Sequence, residues 1–225
     1  MKSRKQLVKL LRSDWLGAGE KLVSYNGGDA SSPYLGGVVG GAYRAPFEPF
    51  APAARELDVD FTACPTPTAP VREGRIHGDE WVHDPSLRGW VLADSPQHDA
   101  VICANQLAAA GLEGWFVETD QRIAVIAEGS AVRGAEVAVE ERTERSGIGG
   151  ILGKARSAVN TVAEFAESLH GGEPLVTLWE LPCDQLAELT GVRRGRWSES
   201  LFAVAARFQD GSVIELKRDR ELPGL

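Results

Sequence analysis

Apolar and polar residues alternate along much of this chain, and the alternation predicts a mainly β (α+β) fold. Two β-rich runs, 115–118 and 123–127, flank a polar turn and predict an antiparallel hairpin. Residues 201–208 and 212–216 flank Asp210-Gly211, a dipeptide that favours a tight hairpin turn. Further strands are predicted at 20–25, 91–92, 100–104 and 175–181.

Two segments instead repeat their apolar residues every three or four positions, which is the period of an amphipathic helix. In the first segment, 4–15, Leu7, Leu11 and Trp15 form the apolar stripe. The second segment, 151–169, follows a glycine-rich stretch and predicts an inserted helix of about five turns. The other face of the first helix is basic and carries Arg4, Lys5, Lys9 and Arg12.

Glycine and proline dominate the segment 26–75, which follows the first predicted strand. Seven of the twelve prolines lie between Pro33 and Pro70. Because each proline removes a backbone donor and restricts its predecessor, residues 26–75 are predicted to be mostly loop or extended coil, with some aromatic side chains inserted into the main domain. The predicted parts are an N-terminal amphipathic helix (1–19), a Gly/Pro-rich extension that wraps the core (20–75) and a β-domain (76–225).

The composition is that of an ordinary globular protein, with 43% hydrophobic and 25% charged residues in a chain of 225. No apolar run approaches the roughly 18 residues that a transmembrane helix needs. The first residues also lack the apolar core of a signal peptide, so we expect a cytoplasmic protein. The three cysteines are too widely spaced for a metal or redox pair. A net charge of −8 argues against nucleic acid as a partner, because phosphate binding needs clustered Lys and Arg.

The charge is unevenly distributed along the chain. Residues 1–22 carry six basic and two acidic side chains, a balance of +4, so the remainder sums to −12. The basic first helix therefore has two interpretations. Either it docks on the domain with its basic face in water, or residues 1–16 make a weak contact with an anionic membrane.

An acid–histidine cluster is the most reactive group of side chains in the sequence. Three of the four histidines fall within 22 residues, beside several carboxylates. The candidate metal ligands are His77, Asp79, His83, Asp84 and His98. Such groups bind divalent metals and transfer protons, which makes a small metal-dependent hydrolase the alternative function. The spacing matches no metal motif, however, and Asp84-Pro85 favours a turn in water.

A basic and aromatic segment near residue 195 is a second candidate site. It consists of Arg193, Arg194, Arg196 and Trp197. Guanidinium groups beside an indole bind phosphate or carboxylate groups. The other interpretation is a surface turn whose positive charge neutralises nearby carboxylates. The glycine-rich run 147–154 lacks one glycine and the hydroxyl residue of a phosphate loop, and we expect no cofactor.

Three fragments resemble bacterial pleckstrin-homology-like (PH/GRAM-like) domains over residues of about 90–218. Residues 116–126 contain Val-Glu-Thr-Asp-Gln-Arg-Ile, similar to the V-x-T-D-x-R-[LI] hairpin of that family. Residues 178–189 are similar to its strand that leads into I-P-x-x-x-I-x-x-[VL]. Residues 202–216, with the motif at 208–216, resemble its late F-x-D-G-S-x-x-x-L hairpin. The resemblance implies a curved antiparallel sheet or partly open barrel.

The resemblance departs from the family pattern at the C-terminus. The family usually ends with a helix that fills the open end of the sheet, but only residues 219–225 follow the last strand, and Pro223 disfavours a helix there. We expect the 151–169 helix to fill this place and the N-terminal helix to remain freer to meet a partner.

The family is a scaffold that binds proteins, peptides or lipids on diverse surfaces, and a fold does not fix a function. We therefore expect a non-enzymatic binding or scaffolding module rather than an enzyme. Its expected partner is an unknown protein or a second copy of the chain. The expected contact surface is the basic helix or the arginine–tryptophan segment.

Overall fold

The strands of this protein form two sheets that share one helix as their core. The computed structural model describes residues 4–27, 32–132, 175–195 and 200–218. Within these ranges the strands are β1 (Leu22–Gly27), β2 (Tyr34–Val39), β3 (Ala42–Arg44), β4 (Leu87–Ala93), β5 (Gly114–Thr119), β6 (Arg122–Glu128), β7 (Leu175–Pro182), β8 (Leu186–Arg194), β9 (Leu201–Phe208) and β10 (Val213–Lys217). The α-helices of the same ranges are α1 (Arg4–Leu10), α2 (Ala69–Arg72) and α3 (Asp99–Ala110).

The first sheet is antiparallel and has the strand order β1-β5-β6-β7. Its centre is the hairpin that the alternation predicts, with Trp115 opposite Ile126 and Val117 opposite Ala124. The Thr119 hydroxyl oxygen accepts the backbone N–H of Arg122 at 2.9 Å, which holds the turn. The predicted hairpin is therefore confirmed.

The second sheet has the order β3-β2-β4-β10-β9-β8. β2 and β4 run parallel, and the other neighbours in this sheet are antiparallel. The Asp210-Gly211 hairpin between β9 and β10 is confirmed, and Gly211 has the left-handed backbone (φ +85°) that such a turn favours. The mainly β expectation is thus confirmed, with two sheets that do not close into a barrel in the described part of the chain.

The core between the sheets is helix α3, which sequence patterning missed. The run 100–104 was expected to form a strand but lies inside this helix. Ala100, Ala104 and Leu107 recur at helical spacing and are fully buried against both sheets. The helix that fills the sheets in the described residues is therefore α3, a segment expected to be β. The predicted helix at 151–169 lies outside the described residues.

Helix α1 and the π-helical turn that follows it, Leu11–Trp15, cover the outer face of the first sheet. Leu7 and Leu11 are fully buried and pack against residues of β5 and β6. The predicted N-terminal helix is confirmed, and it follows the first of its two interpretations: its apolar stripe docks on the domain, while Lys5, Lys9 and Arg12 stay exposed. None of the described helices is both long and apolar enough to cross a membrane.

The Gly/Pro-rich extension contains more regular structure than its composition predicts. β2 and β3 lie within it, and β2 is a buried interior strand of the second sheet. The expectation of an inserted aromatic is confirmed at Phe47, which is buried in the core beside α3. Two buried amides of α3 hold the same segment, since Asn105 accepts the N–H of Phe50 at 3.0 Å and Gln106 that of Ala54 at 2.7 Å.

Candidate functional site

The three clustered histidines lie at different places in the fold. His83 lies four residues before β4 and His98 five residues after it, and this strand of seven residues, about 20 Å long, runs between them. His77 is exposed on the loop before them. Among the described residues, no group of three or more His, Cys, Asp or Glu side chains is arranged to hold a metal ion.

Asp84, one of the candidate ligands, is buried and fully engaged by the fold. One carboxylate oxygen accepts the N–H and the hydroxyl of Thr68, each at 2.7 Å. The other oxygen accepts the N–H (2.9 Å) and the hydroxyl (2.7 Å) of Ser86. Burial raises the pKa of Asp84, but these four hydrogen bonds favour the charged form more strongly and hold the pKa below its ordinary value.

His98 lies beside the turn that caps helix α3. Asp210 accepts the N–H of Asp99 at 2.7 Å, and the Ser212 hydroxyl accepts the N–H of Ala100 at 3.1 Å. These bonds satisfy two of the free N–H groups at the start of the helix. Burial raises the pKa of Asp99, and Asp210 raises it further. The Asp-Gly turn thus ties the second sheet to the core helix, which is a structural role.

The acid–histidine cluster and the arginine segment meet at Gly195. Asp79 accepts the Gly195 N–H at 2.9 Å, and a side chain at Gly195 would stand 2.6 Å from His83 Nε2. Arg194 pairs with the buried carboxylate of Glu215, with Nε 2.7 Å from Oε2, and this contact raises the pKa of Arg194. Arg194 is therefore held by a carboxylate of the fold itself. Arg196 and Trp197 lie outside the described residues.

Arg193 occupies the exposed side of the same strand. Its guanidinium carbon lies 4.7 Å from the centre of the Phe202 ring. Phe202 is 46% exposed, although it is a large apolar side chain. The structure thus separates the two arginines, one within an ion pair and one on an open face of β8 and β9.

The basic side chains of the N-terminal helix lie along one open groove of about 500 Å³. The lining residues are Lys5, Val8, Lys9, Arg12 and Ser13. Lys5, Lys9 and Arg12 are exposed and span about 10 Å of helix, close to the Debye length at 0.1 M salt. Their fields therefore act together on an anion. The side chain of Arg4, also a candidate, lies outside the described residues.

Val8 and Ser13 are groove residues that the sequence reasoning did not select. Their positions, three and eight residues after Lys5, place them on the same helical stripe as the basic side chains. The helical spacing of the sequence therefore contains the signal for both residues.

The helix is anchored at its end by a network of side chains. Trp15 donates its indole N–H to Thr177 of β7 at 2.9 Å. The guanidinium carbon of Arg122 lies 4.2 Å from the centre of the Trp15 ring, and Arg122 Nε bonds Glu20 at 2.9 Å. Burial raises the pKa of Glu20, but the hydrogen bonds from Arg122, the Gly17 N–H and Thr119 outweigh it and hold the pKa below its ordinary value, so the carboxylate stays charged. The groove therefore belongs to a helix of fixed orientation.

Comparison with protein-family models, with curated proteins and with solved structures finds no match to this chain. The pleckstrin-homology resemblance therefore stays a prediction from its three fragments. The hairpin fragment at 116–126 lies in the first sheet, and the fragment at 208–216 lies in the second.

Proposed function

We propose that this protein is a non-enzymatic binding module that takes an acidic protein segment on the basic face of its N-terminal helix. The observation that carries the proposal is the anchored groove, in which Lys5, Lys9 and Arg12 form one row. Exposed ion pairs contribute at most about 1 kcal/mol each, so this surface favours fast, salt-sensitive association of modest affinity.

The burial of the apolar stripe favours a protein partner over a membrane. A helix that binds at a membrane surface inserts its apolar face between the lipids. Here Leu7 and Leu11 are fully buried against the first sheet, so the docked helix offers charge without an apolar anchor. An acidic protein segment needs only the charge and the groove.

The pleckstrin-homology resemblance of residues of about 90–218 supports the same class of function. That family presents diverse binding surfaces on one scaffold, and we propose that this chain does so with its N-terminal helix. The proposal does not depend on the resemblance, because the described residues that line the groove precede that region.

The test is the binding of a fluorescein-labelled polyglutamate peptide to the full chain, measured by fluorescence anisotropy. We expect saturable binding that weakens as salt rises, and a loss of at least tenfold in affinity for the triple variant Lys5→Glu, Lys9→Glu, Arg12→Glu, since each reversal adds a repulsion on the order of the lost attraction.

The matched control variant is Arg55→Glu, Arg72→Glu, Arg218→Glu, which changes net charge equally at exposed positions on other segments. It should bind the peptide far better than the groove variant. Flotation with vesicles of phosphatidylserine and phosphatidylcholine is the second arm. Binding to these vesicles but not to the peptide would assign the surface to lipid. Equal binding by both triple variants would overturn the proposal.

A further inference from the structure

Four of the groove residues have the spacing that one helix presents to another. Lys5, Val8, Lys9 and Arg12 follow each other at i, i+3, i+4 and i+7, positions that are neighbours on a helix surface. Where two helices pack side by side, four such residues form the hole that receives one side chain of the facing helix. The groove therefore has the outline of a docking site for a helix.

The chemistry of this hole selects an acidic side chain. Three of its four walls are cationic, and the fourth is Val8, which is partly buried against the first sheet. None of the three cationic side chains forms an ion pair with a carboxylate of the described ranges. A glutamate suits these walls, because its methylene groups can contact the valine while its carboxylate accepts charge-assisted hydrogen bonds from the ammonium and guanidinium groups.

The axial spacing of the basic residues matches a helical partner better than an extended one. With a rise of about 1.5 Å per residue, Lys9 lies about 6 Å and Arg12 about 10 Å along the axis from Lys5. Carboxylates at i, i+4 and i+7 of a facing helix have the same spacing, as do those at i, i+3 and i+7 of a helix that runs the other way. Along an extended segment, side chains on one face repeat about every 7 Å, so the third falls about 3 Å beyond Arg12.

We propose that the acidic segment bound by the groove is itself an α-helix, which lies along α1 and inserts a glutamate between Lys5, Lys9 and Arg12. This assignment rests on the proposed function and specifies the partner of the same site: an amphipathic helix with a row of carboxylates on one face. Because the ion pairs lie at exposed positions, the association is of modest affinity and sensitive to salt.

Two fluorescein-labelled peptides of identical composition test the proposal by anisotropy with the full chain. Both are alanine–glutamine helices held by a hydrocarbon staple, and circular dichroism verifies that they are equally helical. The face-matched peptide carries its glutamates at i, i+3, i+4 and i+7, and the scrambled peptide distributes the same number around the helix. The face-matched peptide should bind at least about fivefold more tightly, because scrambling removes about two of the exposed ion pairs.

An exchange of charges between chain and peptide tests the register. Lys9→Glu should weaken binding of the face-matched peptide, and a peptide with lysines at i+3 and i+4 should restore the affinity to within about threefold of the original pair. The matched control is Arg55→Glu, which reverses an exposed charge on another segment and should bind the face-matched peptide as the wild type does. Both variants should keep the wild-type unfolding midpoint, because Lys9 and Arg55 are exposed.

The outcomes separate this inference from the proposed function. Polyglutamate at neutral pH is not helical, because its like charges at i and i+4 repel each other, so it reports on charge alone. A chain that binds polyglutamate and both stapled peptides with one affinity keeps the proposed function but overturns the helical partner. A Lys9→Glu chain that the exchanged peptide does not restore also overturns it. If no acidic peptide binds, both proposals are wrong.

Discussion

At the scale of single residues, the outer face of the second sheet depends on glycines that make room for tryptophan. The Trp90 ring lies over Gly36 of β2, and a Cβ there would stand 2.3 Å from its Cζ3 atom. Trp81 stacks on Trp90 with ring centres 5.9 Å apart, and Tyr43 packs against Trp90 at 5.5 Å. The absence of a side chain at Gly36 thus makes room for the aromatic stack that covers this face.

The first prediction concerns that glycine. Gly36→Ala should lower the free energy of unfolding by about 1–3 kcal/mol, because the added methyl group overlaps the ring and forces it to move. Urea unfolding measures the effect. Gly191→Ala, at an open position of the same sheet, is the control and should change stability by less than about 0.5 kcal/mol at low protein concentration. Equal stability of the two variants would contradict the account.

At the scale of elements, Asp84 joins helix α2 to strand β4. Thr68 immediately precedes α2 and Ser86 immediately precedes β4, and both donate to the same carboxylate. Lys217 at the end of β10 also donates its ammonium group to the Asp84 carbonyl oxygen at 2.5 Å. A residue that resembles a metal ligand in the sequence is in this fold the junction of three elements.

The second prediction is a pH-dependent loss of stability in Asp84→Asn. The pKa of Asp84 is lower in the folded state, so the ionised carboxylate stabilises folding above about pH 4, its ordinary value, and the contribution is lost as pH falls through the folded pKa. The variant should be less stable than the wild type by about 1.5–3 kcal/mol at pH 7, because hydrogen bonds to a charged group are lost. The difference should shrink below about pH 4.

Urea unfolding curves of both proteins, recorded at intervals of about one pH unit between pH 3 and pH 7, measure how the stability difference depends on pH. The control is Asp94→Asn, which neutralises an exposed carboxylate. A stability difference for Asp84→Asn that is constant over the whole range would show that the charge of Asp84 does not contribute.

At the scale of the whole molecule, each sheet needs a cover on the face turned away from helix α3. The N-terminal helix covers the first sheet, where Trp115, Val117, Ala124 and Ile126 would otherwise face water. The segment 69–83 and the aromatic stack cover the second sheet. The N-terminal helix is therefore structural on its apolar face, and among the described residues its basic face is exposed to a partner.

The third prediction is that deletion of residues 1–16 destabilises the whole protein. The loss of two fully buried leucines alone should lower the free energy of unfolding by more than about 4 kcal/mol. Binding of the dye ANS should rise as the apolar face of the first sheet becomes exposed. The triple groove variant, which keeps both leucines, is the control and should do neither. A truncated chain with wild-type stability and no ANS binding would contradict this account.

The sequence by itself determined the elements whose signals are local. Both tight hairpins and the amphipathic N-terminal helix were predictable, because turn chemistry and the period of apolar residues depend on near neighbours in the chain. The row of basic residues on that helix follows from the same period. The PH-like identity of the sheets stays a prediction, since local fragments do not specify how strands are ordered.

Only the tertiary structure decided the roles of residues whose partners are distant in sequence. The apolar run at 100–104 has the pattern of a short strand. In the structure it is part of helix α3, which the Asp210 turn caps and both sheets bury. The glycine-rich β2 is an interior strand between β3 and β4, and its Gly36 leaves the space that Trp90, more than fifty residues later, occupies. His83 and His98 are near in sequence, yet β4 holds them at its opposite ends. Local propensity is weak in each case, and burial and long-range hydrogen bonds outweigh it.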